Sequence, residues 1–393
     1  MSSNESTFQK AAEIIAAADA LVIAAGAGLG VDSGLPDFRG NEGFWKAYPA
    51  LARANLNFME VADPRTFERD PALAWGFYGH RLDLYRRTAP HAGLGILCGW
   101  SQRMALGTRV FTSNVDGHFQ KAGFAPEQMH ECHGSIHHLQ CMEPCKSSVW
   151  RADDFVPELD DENCRLLNAP PTCPVCGGLA RPNILMFGDW NWLAGRREAQ
   201  RHREENWLAT LAVGQANVVV VEIGAGTAIP SVRHFSQWIC REYGARIVRI
   251  NPRESQVPSS MDVGIATGSL QALLGIDAAL HRLTTVRPAQ DPTLTNQSTH
   301  PAMGKLVAFD EHAPSKTSQQ IPTENPQFAG AGVEVLTREE EKPEVVLTLG
   351  TTPDQLSPGS STSACMPKRP SEKAIEIAAK MLAGRAMREG ERR

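Results

Sequence analysis

Four short runs of apolar, mostly β-branched residues place the strongest constraint on the fold of this chain. Gly, Asn or polar residues bound each run, and the runs are Ala20 to Ala25, Arg109 to Thr112, Asn217 to Ile223 and Arg246 to Ile250. Such runs are typical of strands that are buried on both faces of a sheet. Segments with helical periodicity, such as Gln9 to Ala18 and Pro230 to Glu242, lie between and around them. This alternation predicts an α/β fold with a parallel sheet.

The aromatic residues indicate where the folded part ends. Of the 26 Phe, Trp and Tyr residues in this chain of 393, 24 precede residue 287 and only Phe309 and Phe328 follow it. The last 107 residues also hold 11 of the 26 prolines, a composition that cannot offset the entropy of ordering. We predict a folded domain over residues 1–286 and a mostly disordered tail over 287–393. Within the tail, residues 371–388 have the spacing of a short amphipathic helix, either a solvated marginal helix or a docking motif.

Charge and hydropathy exclude some classes of partner. The net charge of -5 removes a general case for counter-ion-driven binding of nucleic acid. No run approaches the ~20 apolar residues that a membrane helix needs, and the first ten residues are polar. We therefore expect no direct nucleic-acid partner, no membrane partner and a cytoplasmic location.

Four of the nine cysteines form two close pairs, Cys141-x3-Cys145 and Cys173-x2-Cys176. Four thiolates in two pairs are what a tetrahedral structural zinc site requires. The pairs predict bound Zn²⁺ in a small module over about residues 135–188, with Cys164 as an outside candidate ligand. The segment from about 40 to 90 is rich in helical patterns and predicts a helical insertion beside the sheet.

A glycine-rich loop, Gly26-Ala27-Gly28-Leu29-Gly30, follows the first predicted strand. Glycines at a strand-to-helix turn let the backbone approach a pyrophosphate, and the following helix N-terminus favours negative charge. The loop is compatible with a dinucleotide site, although an ordinary tight turn would have similar glycines.

The sequence continues as GAGLGVDSGLPDFRG, which resembles the NAD-binding signature of the sirtuins, the NAD-dependent protein deacylases. Further motifs follow in the family's order: TSNVD at 112–116, HGS at 133–135, the cysteine pairs, RPNILMFGD at 181–189, GAG at 224–226 and IN at 250–251. The resemblance covers about residues 8–280. It implies a Rossmann-like core, NAD as cofactor, and acylated-lysine proteins as substrates.

The resemblance also assigns the cofactor contacts. Asn114 and Asp116 would hold the nicotinamide carboxamide, with Ala27 and Phe38 lining the pocket and Arg39 near the phosphates or ribose. The full set of implied cofactor residues is Gly26, Ala27, Gly28, Asp37, Phe38, Arg39, Ser113, Asn114, Asp116, Gly224, Ala225, Gly226, Asn251 and Ser269. Without the family context, an Asn-x-Asp pair in a loop would be interpreted as turn capping.

His133 is the candidate general base, because an imidazole with an ordinary pKa of ~6.5 accepts a proton at neutral pH with little tuning. The chain has 12 histidines, and only the HGS motif that resembles the sirtuins distinguishes this one. The implied catalytic residues are His133, Asn114 and Asp116. His133 would deprotonate a ribose hydroxyl after the acyl oxygen has attacked the anomeric carbon.

Two segments suggest how a substrate binds. Residues 184–189 (ILMFGD) resemble the sirtuin segment that pairs with an extended peptide, which makes Ile184, Phe187 and Gly188 candidate contacts. Tyr78 and Arg81 share a helix face and resemble the pair that holds the carboxylate of succinyl, malonyl or glutaryl lysine. A small residue in the position of Ala62 widens that pocket. In the alternative, an exposed helix would pair Arg81 with Asp83 or Glu68.

The sequence departs from the family pattern at three places. Gly30, Ser113 and the GAG turn at 224–226 replace residues that donate side-chain hydrogen bonds to the cofactor. Two alternatives to deacylation follow. The same fold would support mono-ADP-ribosyl transfer to proteins or NAD hydrolysis, or the chain would be a non-catalytic NAD-sensing scaffold.

Overall fold

The structure is a computed structural model that describes residues 3–36, 40–146 and 148–285. The predicted cofactor residues Asp37, Phe38 and Arg39, and the predicted tail with its 371–388 segment, lie outside the described residues. Among the helices that are described, none combines the length and apolar character needed to cross a membrane.

The described chain has a run of helices between its first two strands, a strand-rich middle, and alternating helices and strands toward its end. The strands are β1 (Ala20–Ala25), β2 (Thr108–Thr112), β3 (Met129–Glu131), β4 (Gly134–Cys141), β5 (Val149–Arg151), β6 (Leu159–Asp160), β7 (Arg165–Leu166), β8 (Ala180–Ile184), β9 (Val218–Ile223), β10 (Arg246–Ile250) and β11 (Val263–Ile265). The α-helices are α1 (Ser3–Ala16), α2 (Gly40–Ala47), α3 (Pro49–Arg53), α4 (Phe58–Val61), α5 (Pro64–Arg69), α6 (Pro71–Arg87), α7 (Ala92–Ser101), α8 (His118–Lys121), α9 (Gly195–Gly214), α10 (Ser231–Tyr243) and α11 (Ser269–Thr285). Two 3-10 helices span Ala27–Ser33 and Pro126–Gln128.

Six strands form one sheet in the order β11-β10-β9-β1-β2-β3, and every pairing in it is parallel. The four predicted strands are its four central members, so the predicted parallel sheet is confirmed. The chain order reverses between β1 and β9, as in a doubly wound dinucleotide-binding fold. Ligands bind such sheets at this reversal, outside the carboxyl ends of the strands.

Both faces of the sheet are buried, which explains why the strand sequences are apolar without alternation. Successive side chains of β1 point to opposite faces. Leu21 and Ile23 pack with α1, α7 and α11, whereas Ala20 and Val22 pack with α9 and α10.

The residues between β3 and β8 build a smaller antiparallel sheet in the order β5-β4-β8, with the hairpin β6-β7 beside it. This module shares one hydrophobic core with helices α2–α6. Its contacts include Ile136 and Leu139 of β4 together with Phe67 and Trp75 of the helical segment. The indole nitrogen of Trp75 also donates to the carbonyl of Ala180, at 3.0 Å.

Two glycines of α6 allow the helix to lie directly on the module. A Cβ at Gly76 would lie 2.0 Å from the carbonyl oxygen of Cys164, and one at Gly79 would lie 3.0 Å from Pro157. The two positions are three residues apart and share a helix face. The chain at 157–165 therefore packs against the backbone of α6 rather than against its side chains.

Candidate functional site

A cleft of about 570 Å³ opens at the carboxyl edge of the parallel sheet. Most of the predicted cofactor and substrate residues within the described chain meet there. Its lining includes Ala27, Ala62, Tyr78, Arg81, Ser113, Asn114, Asp116, His133, Ile184, Phe187, Gly224 and Gly226. These residues come from the loops after β1, β2, β3 and β9, from the C-terminal end of α4, from α6, and from the end of β8 and the segment after it.

The loops after β1 and β9 touch each other at two glycines. The amide of Gly28 donates to the carbonyl of Gly224 at 3.1 Å. A Cβ at Gly26 would lie 2.8 Å from that carbonyl oxygen, and one at Gly224 would lie 2.3 Å from the amide nitrogen of Leu29. Gly224 also has a φ of 63°, which favours glycine. The backbone contact fixes the floor of the cleft at the strand-order reversal.

A second cavity of about 170 Å³ shares Gly224 with the cleft and is lined by Gly28, Asp32 and Ser269. The Ser269 hydroxyl donates to Asp32 at 2.5 Å, and the amide of Leu270 donates to the same carboxylate at 2.8 Å. Burial opposes but does not outweigh these hydrogen bonds, so the pKa of Asp32 lies below its usual value. Asp32 therefore joins the glycine loop to the first turn of α11.

Asn114 and Asp116 follow β2 and face the cleft. The side-chain amide of Asn114 donates to the carbonyl of Gly26 at 3.1 Å, which ties the loop after β2 to the loop after β1. The carboxylate of Asp116 accepts from the amide of His118 at 2.8 Å. Each side chain thus has one hydrogen bond within the described chain, and both line the same cleft as the apolar residues Ala27 and Ile184.

His133 lies in the loop between β3 and β4 and lines the cleft. Its Nε2 atom lies 3.3 Å from the hydroxyl of Ser231. Burial lowers the pKa of His133, and the nearby Arg197 lowers it further, although the backbone of Ser113 opposes the shift. The imidazole is therefore neutral at pH 7, the state in which it accepts a proton.

Asn251, a predicted cofactor residue, supports the site from behind. The Asn251 side chain is 1% exposed and donates to the carbonyl of Ala225 at 2.7 Å. Its Oδ1 atom accepts from the amides of Arg253 and Glu254 at 2.9 and 3.0 Å. Asn251 therefore positions the loops that follow β9 and β10.

Tyr78 and Arg81 form the inner wall of the cleft. Arg81 is buried, its Nε atom donates to the hydroxyl of Tyr85 at 3.0 Å, and its guanidinium carbon lies 5.3 to 5.7 Å from the ring centres of Phe77, Tyr78 and Tyr85. Asp83 pairs with Arg87 at 3.3 Å. The exposed Arg81–Asp83 pair that the sequence left open does not form, because Arg81 faces inward.

The segment after β8 forms the outer wall. The amide of Leu185 donates to the carbonyl of His133 at 3.0 Å, and the amide of Phe187 donates to the carbonyl of Ala62 at 2.9 Å. Gly188 has a φ of 64° and turns the chain away. Asp189 then forms a two-bond ion pair with Arg181, at 2.7 and 2.8 Å, with both side chains fully buried.

The two cysteine pairs meet in the module. The Sγ atoms of Cys141 and Cys176, and those of Cys145 and Cys173, are each 3.6 Å apart, and all four lie within 4.8 Å of one another. Tetrahedral thiolates at the usual Zn–S distance are about 3.8 Å apart, so the four residues fit Zn²⁺. Cys164 lies beneath Gly76 instead and is not a member of the cluster.

Sequence reasoning missed several residues of this site. Ser231 contacts His133, Tyr85 contacts Arg81, and Arg253 lines both cavities. Tyr85 lies four residues after Arg81 on α6, a helical spacing that identifies it in retrospect. Ser231 and Arg253 have no such local pattern, because only the tertiary fold brings their loops to the cleft.

Known proteins that are similar to this chain include members of the Sir2 family and NAD-dependent protein deacylases. The family model described as Sir2 family matches residues 26–220. The NAD-dependent protein deacylase 2 of Pyrobaculum aerophilum is 30% identical over 281 residues, which cover 72% of this chain and 99% of that protein. The NAD-dependent protein deacylase 1 of Pseudomonas aeruginosa is 34% identical over 242 residues, covering 61% of this chain and 86% of that protein.

Solved structures share the fold. The crystal structure of a complex between a Sir2 homologue and NAD aligns with a TM-score of 0.55 and 22% identity, covering 70% of this chain and 94% of that chain. A second structure, from work on the mechanism and regulation of Sir2 enzymes, aligns with a TM-score of 0.52 and 24% identity, covering 71% and 99%.

Proposed function

Because the chain belongs to the Sir2 family, we propose that it is an NAD-dependent protein-lysine deacylase that transfers the acyl group to ADP-ribose and releases nicotinamide. The observation that carries the proposal is the meeting of Ala27, Asn114, Asp116 and His133 in one cleft at the reversal of strand order. Residues 1–286 would form the catalytic domain, with the helical insertion at about 40–90 and the zinc module at about 135–188. Residues 287–393 would be a tail outside it.

The two adjacent cavities, which share Gly224 and Arg253 in their linings, fit an elongated dinucleotide. The smaller cavity, next to Gly28 and Ser269, would take the adenosine, and the larger one would take the nicotinamide riboside. A Cβ at Gly226 would meet nothing within 4 Å, so the backbone there is open to a phosphate. Asn114 and Asp116 would hold the carboxamide. Both retain hydrogen-bonding capacity beyond their single internal bonds.

The residues of the cleft supply the chemistry that acyl transfer needs. Bound NAD would provide the anomeric carbon that the acyl oxygen of the substrate attacks as nicotinamide leaves. Neutral His133 would then accept the proton of a ribose hydroxyl at Nε2, while apolar side chains such as Ile184 and Phe187 restrict water. The cysteine cluster has no open ligand position, so Zn²⁺ would be structural.

We place the acyl-lysine in the cleft, alongside Ala62 and Phe187, which both line it. A peptide that pairs with the segment 184–188 would direct its lysine into the cleft toward Tyr78 and Arg81. Arg81 is surrounded by aromatic rings, where a carboxylate would bind it more strongly than in water. We therefore propose a preference for succinyl or malonyl lysine over acetyl lysine.

In the test, the purified full chain is incubated with NAD and with matched acetyl-, succinyl- or malonyl-lysine peptides. O-acyl-ADP-ribose is then detected by mass spectrometry. The proposal expects this product, with higher kcat/KM for the acidic acyl groups. ADP-ribose attached to protein, or free ADP-ribose without peptide turnover, would instead identify mono-ADP-ribosyl transfer or NAD hydrolysis. Folded, zinc-loaded protein that binds NAD and forms none of these products would identify a non-catalytic scaffold.

A further inference from the structure

The contact between His133 and Ser231 joins two distant parts of the sheet. His133 follows β3 at one edge, whereas Ser231 begins α10, which follows β9. The strands β1 and β2 lie between β3 and β9. The segment 224–231 therefore reaches across the mouth of the cleft to place a hydroxyl 3.3 Å from Nε2 of His133.

The tautomer of His133 determines which ring nitrogen is basic. A hydroxyl that donates to Nε2 needs a lone pair on that nitrogen, so a donating Ser231 requires the proton of the neutral ring to lie on Nδ1.

We propose that Ser231 is a positioning residue for His133, whose hydroxyl donates to Nε2 and holds that lone pair at the place where a ribose hydroxyl is deprotonated. The inference rests on the proposed deacylase function and adds a residue to it. The contact at Nε2 restricts both the rotation and the tautomer of the ring, because a nitrogen that accepts from Ser231 cannot also carry the proton of the neutral ring.

The proton balance of the step is simple. The O–H bond of the ribose hydroxyl breaks, its electron pair stays on the ribose oxygen, and the proton forms a new bond with Nε2. As the ribose hydroxyl approaches Nε2, the Ser231 hydroxyl turns its own proton away. The Ser231 oxygen then accepts a hydrogen bond from the N–H that forms at Nε2, so the contact is kept in the protonated ring. Arg197 is the charged group that acts on the ring in this state, and it too favours the neutral form.

The experiment compares Ser231→Ala, Ser231→Thr and a matched control, Ser236→Ala. Ser236 lies on the same helix, and its hydroxyl donates to the carbonyl of Val232 at 3.0 Å, away from the cleft. Two rates are measured for each protein: exchange of labelled nicotinamide into NAD in the presence of acyl-lysine peptide, and formation of O-acyl-ADP-ribose. Exchange needs only the attack on the anomeric carbon, whereas the product also needs the base.

Ser231→Ala should lower product formation about tenfold, the equivalent of one neutral hydrogen bond, and leave exchange within about twofold. Ser231→Thr, which keeps the hydroxyl, should recover most of the loss, and Ser236→Ala should change neither rate. Equal losses in both rates of Ser231→Ala, or no loss in either, would overturn the inference.

A second measurement is independent of turnover. The ¹⁵N spectrum of histidine-labelled protein should show His133 with its proton on Nδ1, and Ser231→Ala should shift the Nε2 resonance. Identical His133 resonances in the two proteins would refute the contact. Suppose the Nε2 resonance differs between wild type and Ser231→Ala, and the wild type binds NAD but forms no acyl product. The proposed function is then wrong, while the positioning contact stands.

Discussion

The amide of Phe187 donates to the carbonyl of Ala62 at 2.9 Å and thereby joins the helical insertion to the outer wall of the cleft. Phe187 also meets Phe58 edge to face, with ring centres 5.9 Å apart. The proposed acyl site is thus bounded by two segments that hold each other. Residues that support either segment should affect substrate use even when they touch no ligand.

Replacing Arg181 by Met tests the support of the outer wall. The substitution leaves the Asp189 carboxylate fully buried without its partner, so we expect a loss of about 3–5 kcal/mol in the free energy of unfolding. Urea denaturation followed by circular dichroism measures it. The control Arg151→Met breaks an exposed pair with Asp153 and should cost no more than about 1 kcal/mol. Similar losses in the two variants would show that the buried pair is not specially stabilising.

Replacing Gly224 by Ala tests the contact between the two glycine loops. The new Cβ would collide with the backbone at Leu29. Alanine would also have to adopt the positive φ of this position, which is unfavourable for it. We expect a loss of at least about 1–2 kcal/mol in stability together with weaker NAD binding, measured by thermal unfolding and calorimetry. Gly226→Ala adds a methyl group with no neighbour within 4 Å and should leave stability unchanged. If the Gly224 variant were as stable as wild type, the close approach of the loops would be wrong.

The acidic limb of the pH profile should report His133. Because burial lowers the pKa of this residue, the base stays deprotonated below the ordinary value of about 6.5. The activity should therefore fall only as the pH drops below that ordinary value, measured as kcat/KM between pH 4.5 and 8. His133→Ala should abolish acyl transfer while leaving the thermal transition in place. A limb at pH 7 or above would contradict a desolvated neutral imidazole.

Arg81→Met tests the acyl specificity. Met fills similar space without the charge, so we expect kcat/KM for succinyl and malonyl peptides to fall about 10- to 100-fold, with a small change for acetyl peptides. Arg87→Met, on the exposed side of the same helix, is the matched control. Losses of equal size on all three peptides would indicate that Arg81 supports the wall rather than the acyl carboxylate.

Removal of one cysteine ligand tests the metal site. The wild-type chain should contain one Zn²⁺, and Cys176→Ala should lose it and unfold the module, because metal binding there is coupled to folding. Elemental analysis and limited proteolysis measure the two effects. Cys240→Ser, outside the cluster, should retain full zinc. A zinc-free wild type that resists proteolysis would contradict a structural metal.

The sequence predicts the central sheet well because its information is local. The runs at 20–25 and 246–250 coincide with β1 and β10, since strands buried on both faces leave a continuous apolar signal. The three-residue strands β3 and β11 are too short to give such a signal. The segment of β8, ARPNI, contains polar residues whose burial depends on partners far along the chain, such as Asp189 for Arg181.

The candidate site likewise contains some residues that the sequence identifies and others that it does not. Motifs identified Ala27, Asn114, Asp116 and His133, and the structure brings them into one cleft. Residues that reach the site only through tertiary packing leave no pattern in the local sequence. Ser231 is 98 residues from His133, and nothing in its neighbourhood distinguishes it from other helix-starting serines.

The bare backbone of α6 at Gly76 restricts how this protein can be remodelled. Only a hydrogen atom fits between that helix and the chain at Cys164, so neither partner can acquire bulk without displacing the other. A chimera that exchanged the insertion at 40–90 alone would import a helix shaped for a different neighbour. Engineering of acyl preference by segment transfer would therefore have to carry the 157–166 strip along with the helices, as one transplanted unit.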